Sequence, residues 1–77
     1  DVQVYPNPTT SEFSLLIKAV DQTKVMVRIF DLQGRQLKTI QVMSNEISRI
    51  GNDLKAGVYL LEITEGKNKS VKKIIKQ

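Results

Sequence analysis

The sequence predicts an all-β fold in which seven antiparallel strands form a sandwich or a small barrel. Eight valines and eight isoleucines occur among the 77 residues, and their branched side chains suit a pleated surface better than a helix. Short apolar runs recur between turn residues, and no window keeps a helical period. We therefore expect strands at about 2–5, 12–18, 24–31, 35–43, 46–50, 57–64 and 69–76.

Three of these strands alternate apolar and polar residues, a pattern in which one face is packed and the other is solvated. The expected inward-facing sets are Phe13, Leu15 and Ile17, then Val25, Val27 and Ile29, then Tyr59, Leu61 and Ile63. Met26 and Phe30 fall on the opposite face of their strand, where we expect them to be partly covered.

The fourth strand does not keep this alternation. Leu37 is odd-numbered whereas Ile40 and Val42 are even-numbered, so a strict register cannot bury all three. A β-bulge inserts one residue into a strand and shifts its phase. We expect such a bulge near residues 38–39.

The turns are predicted from proline, glycine and asparagine. Pro6 and Pro8 lack backbone donors, so the first strand should end there and the second should begin soon after. Residues 31–34 suit a type I turn in which Gly34 adopts positive φ. Residues 44–45 are expected to close the next hairpin, and sequential strands are expected to be neighbours.

The positive charge is concentrated at the end of the chain. The net charge is +4, yet residues 67–77 contain five lysines and no acid, whereas residues 1–66 hold seven basic and eight acidic groups. Lysines on an edge strand discourage aggregation between sheets. The same lysines could steer an anionic partner, and the two interpretations are compatible.

The composition limits the possible chemistry. The chain lacks cysteine and histidine, so disulfides and the usual ligands for zinc, copper and iron are absent. No apolar stretch approaches the roughly 20 residues that span a bilayer. Because the chain begins at Asp1 rather than methionine, we expect a fragment or a mature product, with any export signal upstream.

We expect neither enzymatic activity nor a cofactor. Nucleophilic catalysis requires a nucleophile beside a base, and none of the five serines has a histidine partner. Eight acids could still meet in space as a glycosidase-type pair, but a domain this small leaves little room for a cleft. Calcium could take oxygen ligands from Asp31 with Gln33 or from Asp53 with Asn52, although turn formation already explains Asp31.

Nucleic-acid binding is also not expected, and glycan binding would have few aromatic residues to use. Single-stranded nucleic acids stack on aromatic side chains that alternate with basic ones, and the lysine-rich segment has no aromatic residue. The chain has four aromatic residues, of which at most Tyr5 and Phe30 could form an exposed platform for a glycan.

Several short motifs, taken in order, carry a family resemblance. They are Tyr5-Pro6-Asn7-Pro8, the strand 13–17, Asp31-Leu32-Gln33-Gly34-Arg35, Ala56-Gly57-Val58-Tyr59 and Lys73-Ile74-Ile75-Lys76. Each is common alone, but together, in this order and over this length, they resemble the type A C-terminal sorting domain of the type IX (Por) secretion system of Bacteroidetes. One departure is Ser11, where the family often has glycine.

The resemblance implies a fold and a function. The fold would be a seven-stranded antiparallel Ig-like β-sandwich, with residues 1–77 forming one sorting domain at the C-terminus of a larger cargo protein. The cargo would cross the periplasm, pass through the outer-membrane translocon and become secreted or exposed on the cell surface. A cell-surface cysteine protease of the gingipain-like class, acting as a sortase, commonly removes such a domain and can join the cargo to anionic lipopolysaccharide.

The resemblance also implies roles for particular residues. The candidate surface for translocon recognition is the last strand, with Lys72, Lys73, Ile74, Ile75 and Lys76. The other motif residues would act mainly in folding: Tyr5, Pro6, Asn7, Pro8, Asp31, Gly34, Arg35, Gly57 and Tyr59. We expect replacement of the three strand lysines by alanine to impair export and to leave thermal stability nearly unchanged.

Two alternatives and one open question remain at this point. The chain could be an Ig- or fibronectin-like accessory module that binds carbohydrate or spaces domains in a surface protein. It could also be a basic module that binds anions with an affinity that falls steeply with salt. The sequence leaves the oligomeric state open.

Overall fold

Seven strands and no helix make up the fold in a computed structural model that describes residues 1–77. The strands are β1 (Val2–Tyr5), β2 (Phe13–Ile17), β3 (Lys24–Asp31), β4 (Gln36–Met43), β5 (Ser48–Ile50), β6 (Gly57–Glu65) and β7 (Asn68–Lys76). No helix long and apolar enough to cross a membrane is present. All seven predicted strands are confirmed, although β5 begins two residues later than expected.

The strands form two antiparallel sheets that pack as an Ig-like β-sandwich. One sheet has the order β1-β2-β5 and the other the order β4-β3-β6-β7. Three pairs of sequential strands are neighbours as predicted, namely β1 with β2, β3 with β4 and β6 with β7. The other connections cross from one sheet to the other, so β1, β5, β4 and β7 are the edge strands.

The predicted hairpin at residues 44–45 is wrong, because β4 and β5 belong to different sheets. Ser44 is fully buried, and its Oγ accepts a hydrogen bond from the Thr23 backbone N–H at 2.8 Å. The Asn45 N–H donates to the Ile17 carbonyl at 2.7 Å. These bonds attach the turn to the ends of strands in both sheets, and therefore make it a crossover rather than a hairpin.

The core lies between the sheets and contains the predicted inward-facing residues. All nine of them are buried, together with Val42, Ile50 and Ile74. Met26 is 41% exposed and Phe30 is half-buried, which confirms partial cover on the outer face. The alternation along each strand thus identified most of the core, because a period of two sends every second side chain to the same face.

The β-bulge exists but lies slightly before the predicted position. Ile29 is opposite Lys38 and Phe30 is opposite Gln36, which leaves Leu37 as the extra residue. Val42 is buried, but Leu37 is 46% exposed, so the bulge does not bring it into the core as expected. The reason is its location, because all of residues 32–37 at this end of the hairpin are exposed.

Candidate functional site

The first and last motifs of the sequence meet at the edge of the four-stranded sheet. The Asn7 Oδ1 atom accepts a hydrogen bond from the Ile75 N–H at 2.9 Å, and its Nδ2 donates to the Lys73 carbonyl at 2.9 Å. An N–H donor and a C=O acceptor are the groups that a neighbouring strand would satisfy. The side chain of Asn7 therefore takes the place of one residue of an added strand.

Thr9 continues this pairing along β7. Its N–H donates to the Ile75 carbonyl at 3.1 Å, and its carbonyl accepts from the Gln77 N–H at 2.8 Å. The two segments run parallel here, with Thr9 opposite Lys76. The last residues of the chain are therefore held on both sides, by β6 and by residues 7–9.

The shape of the 6–9 segment follows from its sequence. The peptide bonds before Pro6 and Pro8 are both cis, and neither proline has an N–H to donate. Thr9 is buried, and its Oγ1 accepts from the Ser11 N–H at 3.2 Å and donates to the Glu12 carbonyl at 3.1 Å. β1 ends at Tyr5 and β2 begins at Phe13, as the prolines predicted.

The candidate recognition residues on β7 differ in exposure. Lys72 and Lys73 are exposed and Ile75 is half-buried, but Ile74 is fully buried in the core. Lys76 is only 6% exposed, and its Nζ donates a hydrogen bond to the Gly51 carbonyl at 2.6 Å. This burial and this hydrogen bond argue against the expectation that replacing all three strand lysines leaves stability nearly unchanged, because we now expect Lys76 to stabilise the fold. The signal that could have revealed this is parity, because Ile74 and Lys76 share a face of the strand.

None of the lysines of residues 67–77 forms an ion pair with a carboxylate. The ion pairs of the domain are Arg28–Glu62, Arg35–Asp31, Lys38–Asp53 and Arg49–Glu12, and none involves β7. Lys72 and Lys73 therefore carry exposed positive charge that no internal ion pair offsets.

A shallow groove of about 500 Å³, here the β1–β7 groove, lies beside these lysines. Its lining residues are Val2, Gln3, Val4, Tyr5, Asn7, Lys72 and Lys73. No acidic side chain lines it. β1, an edge strand of one sheet, borders the groove on one side, and β7, an edge strand of the other sheet, borders it on the other. Residues from both ends of the sequence therefore line one surface.

The turn at Asp31 is held by its own carboxylate. Oδ1 accepts from the N–H groups of Gln33 and Arg35 at 3.0 and 2.9 Å, and Oδ2 accepts from the Arg35 Nε at 2.7 Å. The Arg35 N–H and then its guanidinium lower the pKa of Asp31, although burial partly opposes them. Gly34 has φ +88° and donates its N–H to the Asp31 carbonyl at 3.1 Å, which confirms the predicted turn.

The acids considered for calcium bind groups of the protein itself. Asp53 pairs with Lys38, whose hydrogen bond lowers the pKa of Asp53. Nowhere do three or more acidic side chains come close enough together to hold a metal ion. Both acids therefore have a structural explanation.

The Gly57-x-Tyr59 motif also has a structural role. Gly57 begins β6, and the nearly buried Tyr59 donates its hydroxyl hydrogen to the Lys55 carbonyl at 2.6 Å. The hydrogen bond ties the β5–β6 connection back onto the strand that follows it. Buried tyrosines commonly satisfy their hydroxyl in this way.

Comparison with known proteins agrees with the resemblance seen in the motifs. Residues 3–77 match the model of a family described as the secretion system C-terminal sorting domain. An endo-acting ulvan lyase of Formosa agariphila is 35% identical over 77 residues. The match covers 97% of this chain but 14% of that protein, so the chain spans about a seventh of the relative's length.

The enzymatic name of the relative belongs to the cargo and not to the tail that this chain matches. A sorting domain is not itself catalytic; it marks a secreted or cell-surface cargo for the type IX secretion system. The match covers nearly the whole chain, and the fold is the Ig-like sandwich that the resemblance implied. The chain therefore belongs to the family of secretion system C-terminal sorting domains, and its function is that of a type IX secretion signal.

Proposed function

We propose that residues 1–77 are one C-terminal domain of a larger cargo protein and direct that cargo through the outer-membrane translocon from the periplasm. A sortase-like cysteine protease then removes the domain. The assignment of a contact surface rests on one observation. Lys72 and Lys73 are exposed on an edge strand, and neither forms an ion pair. Exposed charges of one sign favour encounter with a partner of opposite charge.

The candidate set on β7 divides into two parts. Ile74 and Lys76 are buried, so in the folded domain they hold the strand and are not accessible to a translocon. Lys72 and Lys73 remain for contact, with Ile75 half-buried between them and the chain end. The residues of the other motifs act by shaping the domain, as the bonds of Asn7, Asp31 and Tyr59 indicate.

An export assay tests this function. Residues 1–77 are fused to a reporter with a periplasmic signal and expressed in a bacterium that has a type IX system. We expect the reporter at the cell surface, and we expect the Lys72→Ala/Lys73→Ala variant to leave more of it in the periplasm. The matched control is Lys67→Ala/Lys69→Ala, which removes the same charge from residues that do not line the β1–β7 groove.

The result that would contradict the function is a folded, protease-resistant fusion that stays in the periplasm. Equal export of both double variants would instead contradict the assignment of Lys72 and Lys73 as the contact surface. Thermal melting of each purified variant verifies that a loss of export does not come from unfolding.

A further inference from the structure

The backbone of β1 has unpaired groups that face the β1–β7 groove. The Lys18 N–H donates to the Asp1 carbonyl at 2.8 Å, so Asp1 and Lys18 are a hydrogen-bonded pair of the β1–β2 ladder. Such pairs alternate with non-bonded ones along antiparallel strands. The backbone groups of Val2 and Val4 therefore point away from β2, on the side where the groove lies.

The edge of β7 is closed over only part of its length. Asn7 and Thr9 satisfy the outward backbone groups from the Lys73 carbonyl to the Gln77 N–H. By the same alternation, the outward groups of Val71 have no strand partner, and the Val71 side chain is 60% exposed. The groove thus lies where the cover of β7 stops and where β1 has no neighbour on its outer side.

The side chains around the groove indicate the chemistry of an occupant. Val2 and Val4 are half-buried and Tyr5 is 43% exposed, so part of the lining is apolar. Lys72 and Lys73 border the groove without a carboxylate partner. An occupant that fits both features has an extended backbone and carries acidic side chains.

We propose that the β1–β7 groove binds an extended, acidic peptide segment of a partner protein by strand addition to β1. The backbone of the segment would pair with Val2 and Val4, and its carboxylates would pair with Lys72 and Lys73. Strand addition of this type draws affinity from main-chain hydrogen bonds and specificity from alternate side chains. The proposal deepens the proposed function, and rests on it only in assigning the segment to the secretion machinery.

Paired strands have nearly the same rise of about 3.3 Å per residue, so the bound segment should be about as long as β1. Because β1 has four residues, we expect a segment of about four to six residues. A second copy of the chain fits less well as the occupant. Its own β1 contains no acid, and the net charge of +4 on each copy opposes association. Self-pairing is therefore an outcome of the test and not the proposal.

The test is a titration of the ¹⁵N-labelled domain, followed by NMR, with a capped hexapeptide that alternates glutamate and valine. We expect saturable shift changes centred on Val2 and Val4, and slower hydrogen exchange at their amides in the complex. The control hexapeptide replaces each glutamate with lysine and should not bind. We expect Lys72→Glu/Lys73→Glu to weaken binding at least about tenfold and Lys67→Glu/Lys69→Glu to change it less than about threefold.

A backbone variant separates strand addition from simple charge attraction. Val4→Pro removes an N–H that points into the groove and leaves the β1–β2 hydrogen bonds in place. We expect it to abolish peptide binding with the domain still folded, whereas Val4→Ala keeps the N–H and binds within about threefold of the native domain. If Val4→Pro does not fold, hydrogen exchange decides the question, because charge attraction alone would not slow exchange at the Val2 and Val4 amides.

Three results would overturn the proposal. They are no saturable shifts at Val2 and Val4, undiminished binding to a folded Val4→Pro variant, and a concentration-dependent dimer that occupies the groove without peptide. The export assay separates this proposal from the proposed function. Normal export of a Val4→Pro fusion would show that the groove has no role in secretion. Export that depends on Lys72 and Lys73 would still support the sorting function.

Discussion

Asn7 and Ile75 are joined by a hydrogen bond of 2.9 Å although they lie 68 positions apart in the chain, and this bond connects the opening motif to the last strand. The same amide also binds the Lys73 carbonyl, so one side chain completes the edge of the four-stranded sheet at that position. Edge strands with unpaired groups tend to pair with other chains. The asparagine between the two prolines therefore keeps the end of β7 in place and covered.

Replacing Asn7 with alanine should loosen the end of β7. Two hydrogen bonds are lost, each with a net contribution of about 0.5–1.5 kcal/mol, so we expect the free energy of unfolding to fall by about 1–3 kcal/mol. Urea denaturation measures this change, and hydrogen exchange should accelerate at the Ile75 amide. Asn68→Ala is the matched control, because Asn68 is an exposed asparagine at the other end of β7. Equal effects of the two variants would contradict the role of Asn7.

Of the β7 lysines Lys72, Lys73 and Lys76, one should stabilise the fold and two should be surface residues. Lys76→Ala removes a nearly buried stem and the partner of the Gly51 carbonyl, so we expect a loss of about 1–3 kcal/mol. Lys72→Ala and Lys73→Ala should each stay within about 0.5 kcal/mol of the native domain, because both side chains are exposed. Thermal and urea denaturation measure all three. A Lys76→Ala variant as stable as the other two would show that the Gly51 contact does not stabilise the fold.

Two glycines with similar backbone angles should respond differently to alanine. Gly51 has φ +82°, and a Cβ there would lie 2.9 Å from Cδ2 of the buried Phe13. We expect Gly51→Ala to cost about 2–4 kcal/mol, from left-handed strain of about 1–2 kcal/mol and the overpacking of Phe13. Gly34 has φ +88° but open space around it, so Gly34→Ala should show only the strain of about 1–2 kcal/mol. Equal costs by urea denaturation would show that the contact with Phe13 is relieved easily.

The turn at Asp31 should make stability depend on pH in the acid range. The Arg35 N–H and guanidinium lower the pKa of Asp31 in the folded domain below its ordinary value of 3.8. The carboxylate therefore contributes its full stability above the unfolded value, and the contribution disappears as the pH falls through the lowered folded value. We expect the melting temperature of Asp31→Asn to lie below that of the native domain at pH 6 and to approach it near pH 2. A difference that stays constant from pH 6 to pH 2 would contradict this account.

Some residues of the candidate site could be predicted from the sequence, and others could not. The turn at Asp31 was predictable because its hydrogen bonds join residues within four positions of each other. The burial of Lys76 was partly predictable, since it shares a strand face with the apolar Ile74. The bond from Asn7 to β7 had no signal in the sequence, because an asparagine between two prolines is equally consistent with a solvated turn.

By itself the sequence determined the number and position of the strands, the inward-facing residues, the turn at Asp31 and the family. These features depend on residues close together in the chain or on the order of motifs, so alternation and turn chemistry were sufficient. Only the tertiary structure decided that β4 and β5 lie in different sheets, that Asn7 completes β7 and that Lys76 reaches Gly51. It also decided that β1 and β7 border one groove. The physical reason is that these relationships depend on which strands and loops pack together across the sandwich, and such contacts are specified by the whole core and not by any local pattern.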